Sequence, residues 1–262
     1  MRNDGFLKIL FIGDIVGSAG CKYVSRQLNN IRYENDIQLV IANGENSADG
    51  NGITPFSADF LFRSGVDVIT TGNHCFRRRE IFDYFNSDRP LIRPLNLGTA
   101  APGVGFVKVD LGFCEIGVVN LMGRAFMTPI DNPFSEMENF LKSNNLNNIV
   151  VDFHAEASSE KKAMGFFLEE KVSAVIGTHT HVQTADETIL KNHTAYITDV
   201  GMCGSKDSVL GIKPDIIIDS YTEYVFKRHE VLADNIQLDG VIITLDYNSG
   251  KSVDIKRIQH SL

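Results

Sequence analysis

A chain of 262 residues, 43% hydrophobic and 22% charged, has the composition of a globular protein and length enough to bury a substantial core. Its formal net charge of -8 argues against wrapping long nucleic acid, which rests on neutralising many phosphates with Lys and Arg, but leaves room for a small phosphate ligand. The apolar run after Met1-Arg2-Asn3-Asp4-Gly5 is only about seven residues long before Asp14, too short for a signal peptide, and no other run approaches membrane-spanning length. A cytoplasmic protein without a membrane partner is expected.

Taken in order, Leu7 to Ile12 reads as a buried strand closed by Gly13-Asp14, and Ser18 to Asn30 as a helix with Ser18 in the N-cap position. The pattern returns with Ile37 to Ala42 before Asn43-Gly44-Glu45-Asn46, and with Val66 to Thr71 before Gly72-Asn73-His74. Helices over residues 55–63 and 79–85 separate these runs, giving a βαβ rhythm whose sites form outside the carboxyl ends of the strands. Gly105–Asp110 and Cys114–Val119 alternate as a hairpin. A strand over residues 147–153 then ends at His154, a helix over 158–170 follows, and Val172 to Ile176 leads into Gly177-Thr178-His179-Thr180-His181. Thr194 to Thr198 ends at Asp199, and Leu238–Asp246 with Val253–Ile258 reads as a closing antiparallel pair. No repeat or Pro/Ser-rich linker marks a boundary, so residues 1–262 are expected to form one domain: an α/β fold with mixed sheets flanked by helices. Cys21, Cys75, Cys114 and Cys203 stand singly, as reduced thiols would.

Asp14, Glu45, Asn46, Asn73, His74, His154, His179 and His181 all follow apolar runs, and four of the seven histidines are among them. Alone, each has an ordinary explanation as a turn former, a solvated charge or a satisfied loop histidine. Extended residues two apart share a face, so His179 and His181 are expected to project together from a strand end as a metal pincer. Carboxylates, amides and imidazoles without thiolates suit Mn²⁺, Fe²⁺ or Zn²⁺, and there are too many donors for one ion. A pair of ions about 3.5 to 4 Å apart, sharing a carboxylate, would use them all and would serve phosphoester hydrolysis.

In this order the motifs resemble the calcineurin-like metallophosphoesterases, with two departures: no histidine follows two residues after Asp14, and Glu45 replaces the usual bridging Asp. Both departures match the YmdB-like branch of 2',3'-cyclic-nucleotide 2'-phosphodiesterases, which the chain resembles over nearly its whole length. The stretches that carry the likeness include Gly13-Asp14-Ile15-Val16-Gly17, Asn43-Gly44-Glu45-Asn46, Thr71-Gly72-Asn73-His74, Asn120-Leu121-Met122-Gly123-Arg124 and Val151-Asp152-Phe153-His154-Ala155-Glu156. Gly177-Thr178-His179-Thr180-His181-Val182-Gln183-Thr184-Ala185-Asp186 and Thr198-Asp199-Val200-Gly201-Met202 complete them.

The resemblance implies a four-layer αββα sandwich and a binuclear centre holding iron, or manganese as a substitute. Asp14, Asn46 and His181 would hold the first ion and Asn73, His154 and His179 the second, with Glu45 bridging and His74 free as proton donor. The implied partner is a small cyclic nucleotide, opened to a 3'-nucleotide; homo-oligomer formation is left open. A phosphomonoesterase or nucleotidase on the same core, or a regulatory phosphate-binding protein, is the alternative. Arg77-Arg78-Arg79 either steers an anionic substrate or forms a solvated helix start, and Arg124 is a candidate grip on a phosphate oxygen. Cys75 reads as a small packed residue, and Asp152 or Glu156 as a hydrogen-bond partner for a ligand imidazole.

Overall fold

The computed structural model describes residues 5–223 and 227–261; Met1 to Asp4, read above for a leader, lie outside them. In chain order the elements are β1 (Phe6–Ile12), β2 (Asp14–Ile15), α1 (Gly17–Asn35), β3 (Leu39–Asn43), α2 (Pro55–Arg63), β4 (Val68–Thr70) and α3 (Phe82–Phe85). β5 (Phe106–Asp110), β6 (Glu115–Met122), α4 (Pro133–Ser143), β7 (Ile149–His154), α5 (Ser158–Leu168) and β8 (Ala174–Thr178) follow. The chain closes with β9 (Thr188–Leu190), β10 (Thr194–Ile197), β11 (Met202–Ser205), α6 (Pro214–Thr222), β12 (Ile236–Asp246) and β13 (Lys251–Ser261).

Strand alternation sorts the apolar residues into two faces, and each face finds a partner. In β1, Leu7, Ile9 and Phe11 pack with Leu39, Ile41 and Val68 against Ile116, Val118, Val150 and Ile176 of the opposing sheet. The intervening Leu10 and Ile12 point the other way, onto Val24, Leu28 and Leu61 of α1 and α2. On the far sheet, Val151 and Phe153 meet Met137 and Phe140 of α4 and Met164 and Leu168 of α5. Helices, sheet, sheet and helices therefore form the four layers of an αββα sandwich.

The first sheet has seven strands in the order β2-β11-β12-β1-β3-β4 with β13 beside β12, and the second six in the order β5-β6-β7-β8-β10-β9. β1, β3 and β4 run parallel, as do β6, β7, β8 and β10. The β5–β6 hairpin and the β12–β13 pair are antiparallel, as their alternation predicted. No helix among the described residues is long and apolar enough to cross a membrane.

Two local expectations are corrected. Val16, not Ser18, is the N-cap of α1, and the Ser18 N–H is instead taken by Asp49 Oδ1 at 2.8 Å. The helix also runs past Asn30 to Asn35, where Asp36 turns left-handed at φ 55 and donates its N–H to the Arg32 and Tyr33 carbonyls.

Candidate metal centre

Ligand-type residues collect where the parallel strands end. β1, β3 and β4 deliver Asp14, Glu45 with Asn46, and Asn73 with His74, while β7 and β8 of the other sheet deliver His154 and His179. The approach is close enough to require Gly72, whose added Cβ would lie 2.1 Å from His154 Cδ2.

His154 is fully buried, and its Nε2 lies 2.9 Å from Asn73 Oδ1, 3.1 Å from Glu45 Oε1 and 3.0 Å from His179 Nδ1. Glu45, His154 and His179 each offer one ligand atom, all within 4.8 Å of one another. The opposite ring nitrogen fixes the tautomer. Thr178 Oγ1 donates to Asp152 Oδ1 at 2.7 Å, so it accepts from His154 Nδ1–H at 2.9 Å and leaves Nε2 with a lone pair. Asn43 Nδ2 holds the other Asp152 oxygen at 3.1 Å. An amide oxygen, a carboxylate oxygen and an imidazole nitrogen thus converge on His154 Nε2, an arrangement that a proton on that nitrogen or a metal cation in its place resolves.

The electrostatics of the site express the same need for positive charge. Burial opposes charging His154, yet Glu45, with Asp14 and Asp152, carries it up to about 9. Burial and the neighbouring His154 push His179 down to about 4. Burial acts upward on Glu45 as well, but His154 and His74 hold it well below the usual carboxylate range. Burial pushes Asp152 up to about 7.

A second group of donors lies on the other side of Glu45. Asp14 is fully buried, and its Oδ2 accepts the His179 N–H at 3.2 Å. Its Oδ1 is buried without a hydrogen-bond partner, 3.5 Å from His181 Nε2. His181 Nδ1 donates to the Leu210 carbonyl at 3.0 Å, which turns the Nε2 lone pair toward Asp14 and Asn46. Asn46 presents Nδ2 to His181 Nε2 at 3.4 Å and Oδ1 to His74 Nδ1 at 3.1 Å, so ligation through oxygen takes a half-turn of this amide. His74 also reaches Glu45 Oε1 at 3.3 Å, and its backbone N–H donates to Glu45 Oε2 at 2.9 Å. The orphaned Asp14 oxygen and the facing lone pairs fit metal ions.

The two histidines of the Thr178–His181 run do not share a strand face as expected. β8 stops at Thr178, and His179 and His181 adopt left-handed φ of 103 and 64, which sends the first ring to His154 and Glu156 and the second to Asp14 and Asn46. The turn between them is clamped by Asp199, whose Oδ2 accepts the Thr180 N–H at 3.0 Å and the Lys161 Nζ–H at 2.6 Å. Both partners of that ion pair are 1% exposed.

Other singled-out residues divide clearly. Asp152 reaches His154 only through Thr178, whereas Glu156 Oε2 lies 3.1 Å from His179 Nε2, so the direct imidazole contact expected of one of the two is made by Glu156. Arg78 ties down a loop by donating to the Asn51 and Asp49 carbonyls, while Arg77 and Arg79 are exposed. Arg124 is exposed beside Pro129 and Phe134, away from the residues lining the site's cleft. Burial pushes the Cys75 thiol up to about 12, consistent with a packed, unreactive residue. Sequence reasoning missed Thr178 and Asn43 as supports, Asn51 beside His74 Nε2 at 3.2 Å, and Val209, Leu210, Ile212, Ile217, Tyr221 and Val231, which line a cleft of about 460 Å³ over the site.

Comparison with known proteins matches this geometry to one group. A family model described as YmdB-like protein matches residues 10–258. The chain is 42% identical over 254 residues to the 2',3'-cyclic-nucleotide 2'-phosphodiesterase of Bacillus subtilis (strain 168), covering 96% of each. A novel phosphatase from Mycoplasma pneumoniae superposes with a TM-score of 0.92 at 34% identity, over 98% of this chain and 94% of that one. A hypothetical protein from Thermus thermophilus superposes with the same TM-score of 0.92 and 34% identity, over 97% of this chain and 99% of that one.

Proposed function

The chain belongs to the YmdB-like family, and from that premise we propose that it is a metal-dependent phosphodiesterase that opens 2',3'-cyclic nucleotides at the 2' oxygen and leaves 3'-nucleotides. The supporting observation is the pair of donor groups that meet at Glu45 with lone pairs facing inward. Asp14, Asn46 and His181 would hold one ion and Asn73, His154 and His179 the other, with Glu45 common to both. Iron is the expected metal, with manganese as a working substitute, because N/O donor sets of this kind suit either. Bound there, the ions supply Lewis acidity, which acidifies a water and neutralises charge on the phosphoryl oxygens.

The chain's own residues then do the following. Thr178, Asp152 and Glu156 orient the ligand imidazoles, and Asp199 holds the turn that separates them. His74 stands at the cleft with 30% of its side chain exposed, which gives it access to substrate. Its Nδ1 lies 3.3 Å from Glu45 Oε1, a contact that orients the ring, and the imidazole is placed to protonate the departing 2' oxygen as that oxygen's bond to phosphorus breaks. The incoming water oxygen forms the new bond to phosphorus.

Manganese-loaded protein is expected to convert 2',3'-cyclic nucleotides to 3'-monophosphates, resolved by chromatography. His74→Ala should keep its metal by elemental analysis and lose about 10² to 10⁴ in kcat. Two metals per chain with no turnover of any cyclic nucleotide would sink the proposal, and onward loss of the 3'-phosphate would redefine the protein as a phosphomonoesterase.

A further inference from the structure

A phosphodiester substrate has a phosphoryl end that the donor groups take and a remainder that must lie elsewhere in the cleft. The cleft over the site is chemically divided in just that way. Its lining includes Glu45, Asn46, His74, His179 and His181 on one hand, and on the other the largely apolar group Val209, Leu210, Ile212, Ile217, Tyr221 and Val231, with His229 among them. The two groups are in direct contact, because the Leu210 carbonyl receives the His181 Nδ1–H at 3.0 Å. Ile217 and Tyr221 are four residues apart on α6 and so share one face of that helix.

Tyr221 is 81% exposed and makes no hydrogen bond or ring contact among the described residues. Phe126 and Tyr33 are more exposed still, so it is the place of Tyr221 in the lining of this cleft, beside Ile217 and the donor groups, that distinguishes it. No Lys or Arg is among the described residues lining the cleft, and on this wall His229 is the one imidazole, so it offers little to a polyanion. What suits it is flat, apolar on its faces and uncharged. A cleft of about 460 Å³ falls within the range of about 300 to 1,000 Å³ usual for small ligands.

We propose that Tyr221 and Ile217 of α6, with the Val209–Ile212 turn, form a base-stacking subsite, so that the substrate is a mononucleotide cyclic phosphate whose nucleobase lies on the Tyr221 ring. The inference rests on the phosphodiesterase reading above. Stacking on an aromatic face is tolerant of base identity, since every base has a π face. The four 2',3'-cyclic mononucleotides are therefore turned over within about 10-fold of one another in kcat/KM.

Two substrates separate the subsite from the reaction centre: 2',3'-cyclic AMP, and glycerol 1,2-cyclic phosphate, which has the same five-membered cyclic diester and no base. Tyr221→Ala is expected to raise KM for cyclic AMP by about 10-fold or more with kcat within about 2-fold of the parent. Its kcat/KM on the glycerol compound stays at the parent value, and Tyr221→Phe restores the cyclic AMP KM. The proposal is overturned if Tyr221→Ala leaves the cyclic AMP KM unchanged, or lowers kcat/KM equally on both compounds. It is also overturned if sedimentation shows that Tyr221→Ala converts a dimer to a monomer without a change in KM, which would make this face an interface between copies. Equal kcat/KM of the parent protein on both compounds defeats the base subsite alone. Failure of the metal-loaded parent on both compounds defeats the phosphodiesterase reading and the subsite with it.

Discussion

His154 touches Glu45 directly, His181 faces Asp14 and Asn46, and the two are held in opposite ways. His154 ends a central strand, is fully buried, and has its Nδ1 tied through Thr178 to Asp152, which Asn43 holds in turn. Those supports sit on β7, β8 and β3, so both sheets must be in place to position them. His181 lies beyond the end of β8 at a left-handed φ of 64, and its Nδ1 is held by a single backbone carbonyl, Leu210, 29 residues further along. One side is assembled whenever the core is folded; the other depends on a surface turn. If two ions bind as proposed above, their positions should therefore differ in affinity. On titration with a chelator, metal content per chain should fall in two steps, with the ion nearest His181 leaving first, and a single-step loss would erase the distinction.

The largest effect is expected at the rigid side. His154→Ala removes the atom on which Asn73, Glu45 and His179 converge, leaving Glu45 buried with fewer cationic partners. Activity should fall by about 10³-fold or more and metal content to one ion per chain or fewer. Thr178→Val is gentler, since it keeps the size of the side chain while cutting the link from His154 Nδ1 to Asp152. Loss of such an outer hydrogen bond costs about 10- to 100-fold in metal affinity, to be read from binding isotherms of the stripped protein. Affinity unchanged by Thr178→Val would show that the strand ends alone orient the ring.

This difference also governs what could be read in the sequence. Asp14, Glu45, Asn46, Asn73, His74 and His154 were legible because each follows a buried β-branched run, and a parallel strand has little freedom in where its end points. The sandwich was legible for the same reason: Leu7, Ile9 and Phe11 alternate with Leu10 and Ile12, which calls for apolar cover on both faces. The turn chemistry was not legible. Left-handed φ at His179 and His181 is imposed from outside by Asp199 and Leu210, and nothing in a histidine predicts it. Nor can a side-chain pattern mark a backbone carbonyl such as that of Leu210 as a support. α4 and α6 had a signal that went unused, since Asn132-Pro133 and Lys213-Pro214 each place a proline at the first helical position, and Asn132 caps the Phe134 N–H.

The smallest effect, and the most selective, should come from the turn itself. Val209 and Ile212 exchange backbone hydrogen bonds of 2.9 and 3.0 Å, which makes Leu210-Gly211 the two central residues of a tight hairpin with φ of 55 and 96. Both angles are positive, as a type I' turn requires, and only the glycine takes that conformation without strain. An alanine at Gly211 would be strained and would place its Cβ 2.5 Å from Val16 Cγ1. Either the turn changes type or it moves away from Val16, and in both cases the Leu210 carbonyl is displaced from His181 Nδ1. The local cost is about 1 to 3 kcal/mol, and because the turn lies outside the two sheets it falls on the His181 side alone. Gly211→Ala should therefore advance the first chelation step, weakening that ion several-fold, while the second step and the thermal midpoint of the metal-free protein stay near those of the parent. If both steps shift together, the surface turn and the strand-end site are one cooperative unit, and the difference between His154 and His181 is one of geometry without energetic consequence.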